Sequence, residues 1–157
     1  MIFLDAVDAL RARGTRVEVG VFGEGSLGAD ADRLRHPDCE VVNRWLSEEE
    51  IAQALARYQV VVASHIEASQ SGVVAAAFGA LRPVVVTPVG ALSEQVIDGV
   101  TGAVASDIEG KAVADAILRL TGDPARYQRI VGNIQEMGSQ RSVEAFIAAI
   151  ARAALSS

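Results

Sequence analysis

The sequence is short of several things, and each shortage excludes a class of protein. It has one cysteine, Cys39, so it can form no internal disulfide and no cysteine-based metal site. Its two histidines, His36 and His65, stand far apart with no HExxH or HxH spacing, and no metal is expected. Lysine occurs once, at Lys111, and acidic side chains outnumber basic ones 20 to 14, leaving a net charge of −6. That balance argues against nucleic acid as a partner. Aromatic residues are 4% of the chain, so a core must be built from Val, Ala, Leu and Ile. No apolar run approaches the ~20 residues that span a bilayer. The opening MIFLDAVDALRARG carries Asp5 and Asp8 inside its apolar stretch and lacks the basic flank and cleavage site of a leader. The expectation is a cytoplasmic, globular, single domain over residues 1–157, with no support for membrane contact.

What is present is an alternation of helix and strand. Ile2, Phe3, Ala6, Val7, Ala9 and Leu10 recur at helical spacing, and Gly14 ends that helix. Val17–Phe22 reads as a strand and Glu40–Val42 as a brief second one. Ser47 with Glu50 is a capping box that opens a helix through about Tyr58. Val60–Ala63 is continuously apolar, as in a strand buried on both faces, and Pro83–Thr87 repeats the pattern. Between them Gly72–Ala80 is helical by composition; Ser93–Ile97 is a short helix and Gly102–Ala105 a last strand. Three further helices span Gly110–Leu120, Pro124–Met137 and Ser142–Leu155. This order predicts an α/β fold, a Rossmann-like parallel sheet sandwiched between helices. Ligands of such sheets sit at the carboxyl ends of the strands, which directs attention to the loops after Phe22, Val42, Ala63 and Thr87.

Gly23-Glu24-Gly25-Ser26-Leu27-Gly28 is a literal GxGxxG after a strand, the pattern that lets a backbone approach a pyrophosphate. The adjoining segment, Ala29–Arg35, is short and polar, and Glu40 stands at the start of the next strand rather than its end. A flexible turn accounts for the glycines better than a dinucleotide site. The stretch from Ser64 to Val74 is more informative. Free N–H groups at a helix start near Ser71, with Gly72 permitting close approach, make an anion cradle. Ser69, Gln70 and Ser71 add donors, and Glu67 supplies one carboxylate able to accept from sugar hydroxyls. An ordinary capped helix explains the same residues about as well. Thr87–Glu94 repeats the theme, with Gly90 allowing a tight turn into a second helix start. Trp45, within Asn43-Arg44-Trp45-Leu46, can stack on a base, although a Trp beside Leu more often packs. His65 reads as a polar loop contact, and Cys39 takes no role.

Five segments now stand in a familiar order: Asn43–Ser47, the helix after it, VVVASHIEASQSGVVAAAFG, RPVVVTPVGALSE and Asp98-Gly99-Val100-Thr101-Gly102. From about Val17 onward the chain resembles the family 4-like glycosyltransferases of GT-B fold, the glycosyl transferases group 1. The resemblance implies the C-terminal, donor-binding half of a retaining hexosyltransferase-type enzyme, with the acceptor-binding N-terminal domain missing from this chain. It places the diphosphate of a UDP- or GDP-sugar at Ser71, Gly72 and Val73, and the nucleobase beside Asn43, Arg44 and Trp45. Gly23 and Gly90 border the same ligand, and Glu67 is the carboxylate nearest the donor sugar. The family's two glutamates have seven residues between them, and their positions fall on Ala68 and Ala76 here, with Glu67 one residue from the first. No cofactor is tightly bound, and the nucleotide sugar itself is the partner. Without a second domain to close the cleft and exclude water, the domain is not expected to turn over alone. Two other functions fit parts of the sequence. One is a non-catalytic interaction module of the same fold, supported by Ala76. The other is an NAD(P)-binding oxidoreductase domain, resting on Gly23–Gly28 alone.

Overall fold

The structure, a computed structural model, describes residues 1–64 and 72–140. Helix α1 (Ile2–Ala12) turns back at Gly14, whose φ of 78° suits glycine. Strand β1 (Val19–Phe22) pairs in parallel with β2 (Cys39–Val42), joined by a polar connection containing a single 3₁₀ turn at Gly28–Asp30. Helix α2 (Glu48–Arg57) begins on the expected capping box: Ser47 Oγ accepts from Glu50 N–H, and Glu50 reaches back to Ser47 N–H. Then come β3 (Val61–Ala63), α3 (Gly72–Gly79), β4 (Val84–Val86), the one-turn α4 (Leu92–Gln95), β5 (Gly102–Val104), α5 (Gly110–Thr121) and α6 (Pro124–Gln140). The Ser142–Leu155 helix lies outside the described residues.

Parallel strands flanked by helices are found as expected, with one difference. Among the described residues the strands form two ladders: β1 pairs with β2, while β3, β4 and β5 form a separate parallel sheet in that order. The core is thickest around β4. Val84, Val85 and Val86 are all fully buried, and alternation divides them between two layers. Val85 joins Ala6, Leu10, Val113, Leu120, Ile130 and Ile134 from α1, α5 and α6, while Val84 and Val86 join Val74 and Ala77 from α3, Leu92 from α4 and Val96 just after it. Helices α1 and α5 meet closely at Gly110, where a Cβ would fall on Asp5 and Ala6, and Arg13 reaches Asp115 at 2.5 Å across the same pair.

The run Val60–Ala63, which the sequence predicts to be buried on both faces, is not. Val60, Val61 and Val62 remain half-buried, since among the described residues β3 pairs with β4 alone.

Among the described residues no helix is long and apolar enough to cross a membrane, and no three His, Cys, Asp or Glu side chains gather as a metal site.

Candidate functional site

Loops leave the carboxyl ends of β1, β2, β3 and β4. After β1, Gly23 adopts φ 125° and Gly28 φ 49°, conformations that side chains rarely take. A Cβ at Gly23 or Gly25 would meet nothing within 4 Å, so this backbone is open to approach from outside. Gly25 N–H donates to Asn43 Oδ1 at 3.0 Å, which ties the β1 loop to the β2 loop. The GxGxxG leads into a single 3₁₀ turn, with no long helix on which a pyrophosphate could rest. Glu40 is occupied near the amino end of β2 by Arg57 at 2.7 Å and by the Tyr58 hydroxyl at 3.0 Å. Neither feature supports a dinucleotide site.

After β2, Arg44 is held rather than free. Its guanidinium donates to both Glu50 carboxylate oxygens and to the carbonyl of Trp45. Arg44 and the Ser47 backbone hold the Glu50 carboxyl down at about 2, the guanidinium having the larger effect. The turn so braced presents Trp45 outward, 81% exposed. Packing against Leu46 does not bury it.

After β3 the described chain stops at Ser64 and resumes at Gly72, the first residue of α3. His65, Glu67, Ser69, Gln70 and Ser71 lie outside the described residues. A Cβ at Gly72 would meet no other described residue within 4 Å, so none of them closes off the helix start. After β4, Thr87 is fully buried and Gly90 turns at φ 51°; the Ser93 hydroxyl donates to Gly90 O at 3.1 Å. Helix α4 starts at Leu92 with Ala91 as its N-cap, which provides no side-chain cap.

The structure gathers Gly23, Arg44, Trp45, Gly72 and Val73 around one cleft of about 1580 Å³, with Ser64 and Ala76 also on its wall. Asn43 belongs to this group through Gly25. Gly90 and α4 do not line the cleft. Sequence reasoning missed Glu50 as the brace of Arg44, and Leu46 and Ile51 as part of the cleft wall. The capping box was the one available signal for Glu50.

A family model described as glycosyl transferases group 1 matches residues 1–123. The chain belongs to that family. No curated protein matches its sequence. Among solved structures, this group 1 glycosyltransferase chain is similar to Anabaena HepE in complex with UDP-glucose, with TM-score 0.73 and 22% identity, covering 99% of this chain and 44% of that one. It is equally similar to sucrose-phosphate synthase from Thermosynechococcus elongatus, with TM-score 0.73 and 22% identity, covering 98% and 42%. The C-terminal domain of the Francisella tularensis group 1 protein LpcC gives TM-score 0.71 at 18% identity, covering 89% of this chain and 77% of that domain. The fold is therefore one half of a GT-B glycosyltransferase, and the chain spans less than half the length of HepE and of the synthase.

One motif of this group 1 chain is structural. Asp98 accepts from Val104 N–H at 2.8 Å, Thr101 Oγ1 accepts from Ile97 N–H at 3.0 Å, and Gly99 has φ 73°. A Cβ at Gly102 would fall on Val84 O. The Asp98–Gly102 segment thus shapes the turn into β5.

Proposed function

We propose that this domain binds the nucleoside-diphosphate sugar of a retaining glycosyltransferase. The observation that carries the reading is the convergence of Gly23, Trp45 and the open start of α3 at Gly72-Val73 on one cleft mouth. Each group suits a different part of the donor. The exposed indole of Trp45 offers a face for the base. The α3 start offers N–H groups and the positive end of a helix dipole to the diphosphate. Ser69, Gln70 and Ser71 extend that donor set, and Gly23 admits the nucleotide backbone closely. Asn43 and Arg44 hold the Trp45 turn in place, and Gly90 shapes the neighbouring loop. Glu67 is the carboxylate assigned to the donor sugar.

In transfer, charge builds on the leaving diphosphate, and donors preorganised at the α3 start stabilise it without reorganisation. The sugar passes to an acceptor held by a second domain, and closure of the two halves excludes water. UDP is favoured as the carrier because HepE is similar to this chain and was crystallised with UDP and with UDP-glucose; GDP is the alternative. A non-catalytic module of the same fold is the second reading, favoured by Ala76, which stands on the cleft wall where the family's second glutamate is expected.

Trp45 is the chain's single tryptophan, so its fluorescence reports on this mouth alone. Titration with UDP, GDP and NADH, read by Trp45 emission and by calorimetry, is expected to show saturable binding of UDP or GDP and none of NADH. Binding of no nucleotide supports the non-catalytic module, and binding of NADH alone overturns both readings.

A further inference from the structure

Glu24, between Gly23 and Gly25, is exposed at the cleft mouth. Every residue of β1 lines the cleft and none of β2 does, so β1 stands between β2 and the open space. Gly23 N–H donates to Val42 O at 3.1 Å, and Gly25 N–H donates to Asn43 Oδ1 at 3.0 Å. The backbone on both sides of Glu24 is thus tied to the β2 side. Its carboxylate shares no ion pair or hydrogen bond with another described residue. Arg44 lines the same mouth but is not its partner, because Glu50 and Trp45 O take up the guanidinium. The other carboxylate on the described cleft wall, Glu18, stands before β1 at the amino end. Glu24 is therefore a fixed, unpaired acceptor at the carboxyl end, where the candidate site lies.

We propose that Glu24 holds the ribose of the bound nucleotide, accepting hydrogen bonds from its 2′- and 3′-hydroxyls. The assignment rests on the donor reading above, with the base at Trp45 and the diphosphate at the α3 start. Along the carboxyl edge, the Trp45 turn follows β2, Glu24 follows β1, and Gly72-Val73 follow β3 on the facing wall. A nucleotide laid from Trp45 to Gly72 crosses the β1 loop between them. The group that joins a base to a diphosphate is the ribose. Chemistry selects the same group. An ionised carboxylate only accepts, and a vicinal diol offers two donors that its two oxygens can take together. Bonds to a charged acceptor are the stronger kind. The diphosphate is itself anionic and would repel Glu24. Uracil sets its one pairing-edge N–H between two carbonyl oxygens, which suits a carboxylate poorly. A Cβ at Gly23 or Gly25 would meet nothing within 4 Å, so no described residue keeps a sugar ring from this loop. Glu24 thereby makes the site selective for ribonucleotides.

The test compares UDP with 2′,3′-dideoxy-UDP on the full chain, read by calorimetry and by Trp45 emission. The unaltered chain should bind UDP at least about tenfold more tightly, since a site built to bond a hydroxyl rejects the analogue without it. Glu24→Ala should erase that preference, bringing the two affinities within about twofold of each other. Glu24→Gln, which keeps one accepting oxygen, should retain part of the preference, and it carries the comparison if Glu24→Ala does not fold. Equal affinities in the unaltered chain, or a preference that survives Glu24→Ala in full, overturn the ribose assignment and leave the donor reading standing. If Glu24→Ala weakens GDP and dideoxy-GDP alike, Glu24 reads the guanine edge and the ribose assignment fails. Binding of neither UDP nor GDP overturns the donor reading itself, and the assignment falls with it.

Discussion

Arg44 meets Glu50 with both prongs of its guanidinium, Nη2 to Oε1 at 2.5 Å and Nη1 to Oε2 at 3.0 Å. The same carboxylate accepts from Ser47 N–H at 2.9 Å, and Arg44 also donates to Trp45 O at 2.9 Å. One acidic side chain thus caps α2 and braces the turn that presents Trp45. Its folded pKa, lowered to about 2 from 4.5, has a consequence for stability. A carboxylate with a depressed folded value contributes stability above its unfolded value and loses it as pH falls toward the folded one. The thermal midpoint of the unaltered chain should therefore fall more steeply between pH 4.5 and 2 than that of Glu50→Gln. Matching slopes would refute the brace. At neutral pH the variant should also shift Trp45 emission, since the turn loses its anchor.

Gly72→Val separates binding from folding. A side chain there meets none of the described residues, so stability should change by no more than about 0.5 kcal/mol. The added methyls occupy the space in front of the α3 N–H groups, and affinity for UDP or GDP should fall by at least tenfold. Calorimetry beside thermal denaturation checks both halves. Unchanged affinity would place the diphosphate elsewhere.

Elements announced by local chemistry are those that sequence reading locates best. Ser47 and Glu50 mark the start of α2 because a capping box is complete within four residues, and Gly14 marks the end of α1 because the turn needs positive φ. Features that depend on distant neighbours are less legible. The apolar run at Val60–Ala63 states which environment the strand suits, not which neighbour supplies it, and among the described residues β3 pairs with β4 alone. Arg44 reads as a residue beside the nucleobase, but its partner Glu50 lies six residues away in the next helix, where no local pattern pairs the two. Gly90 and Gly72 look equivalent as loop glycines after successive strands, yet only Gly72 borders the cleft. The loop holding Glu67, Ser69, Gln70 and Ser71 lies outside the described residues, so their role rests on family resemblance.

Gly102→Ala should behave oppositely to Gly72→Val. Gly102 pairs with Val84 across the β4–β5 ladder, and a Cβ there falls on the Val84 carbonyl oxygen and close to Val96. Backbone in the central strand cannot move aside cheaply, so the substitution should cost about 2 kcal/mol or more. Urea unfolding should show a lower midpoint at unchanged slope. The folded fraction should bind nucleotide with unaltered affinity, because the motif shapes β5 and does not line the cleft.

Val85 and Val62 provide a last comparison, since the same truncation meets two different surroundings. Val85 is fully buried between layers, and removing its two methyls loses roughly 1.6 kcal/mol of transfer energy plus a cavity term, about 2–3 kcal/mol in all. Val62 is half-buried on the open edge, so Val62→Ala should cost about half as much. Urea midpoints of the two variants test the difference directly. An equal cost for both would mean that Val62 is already covered in solution.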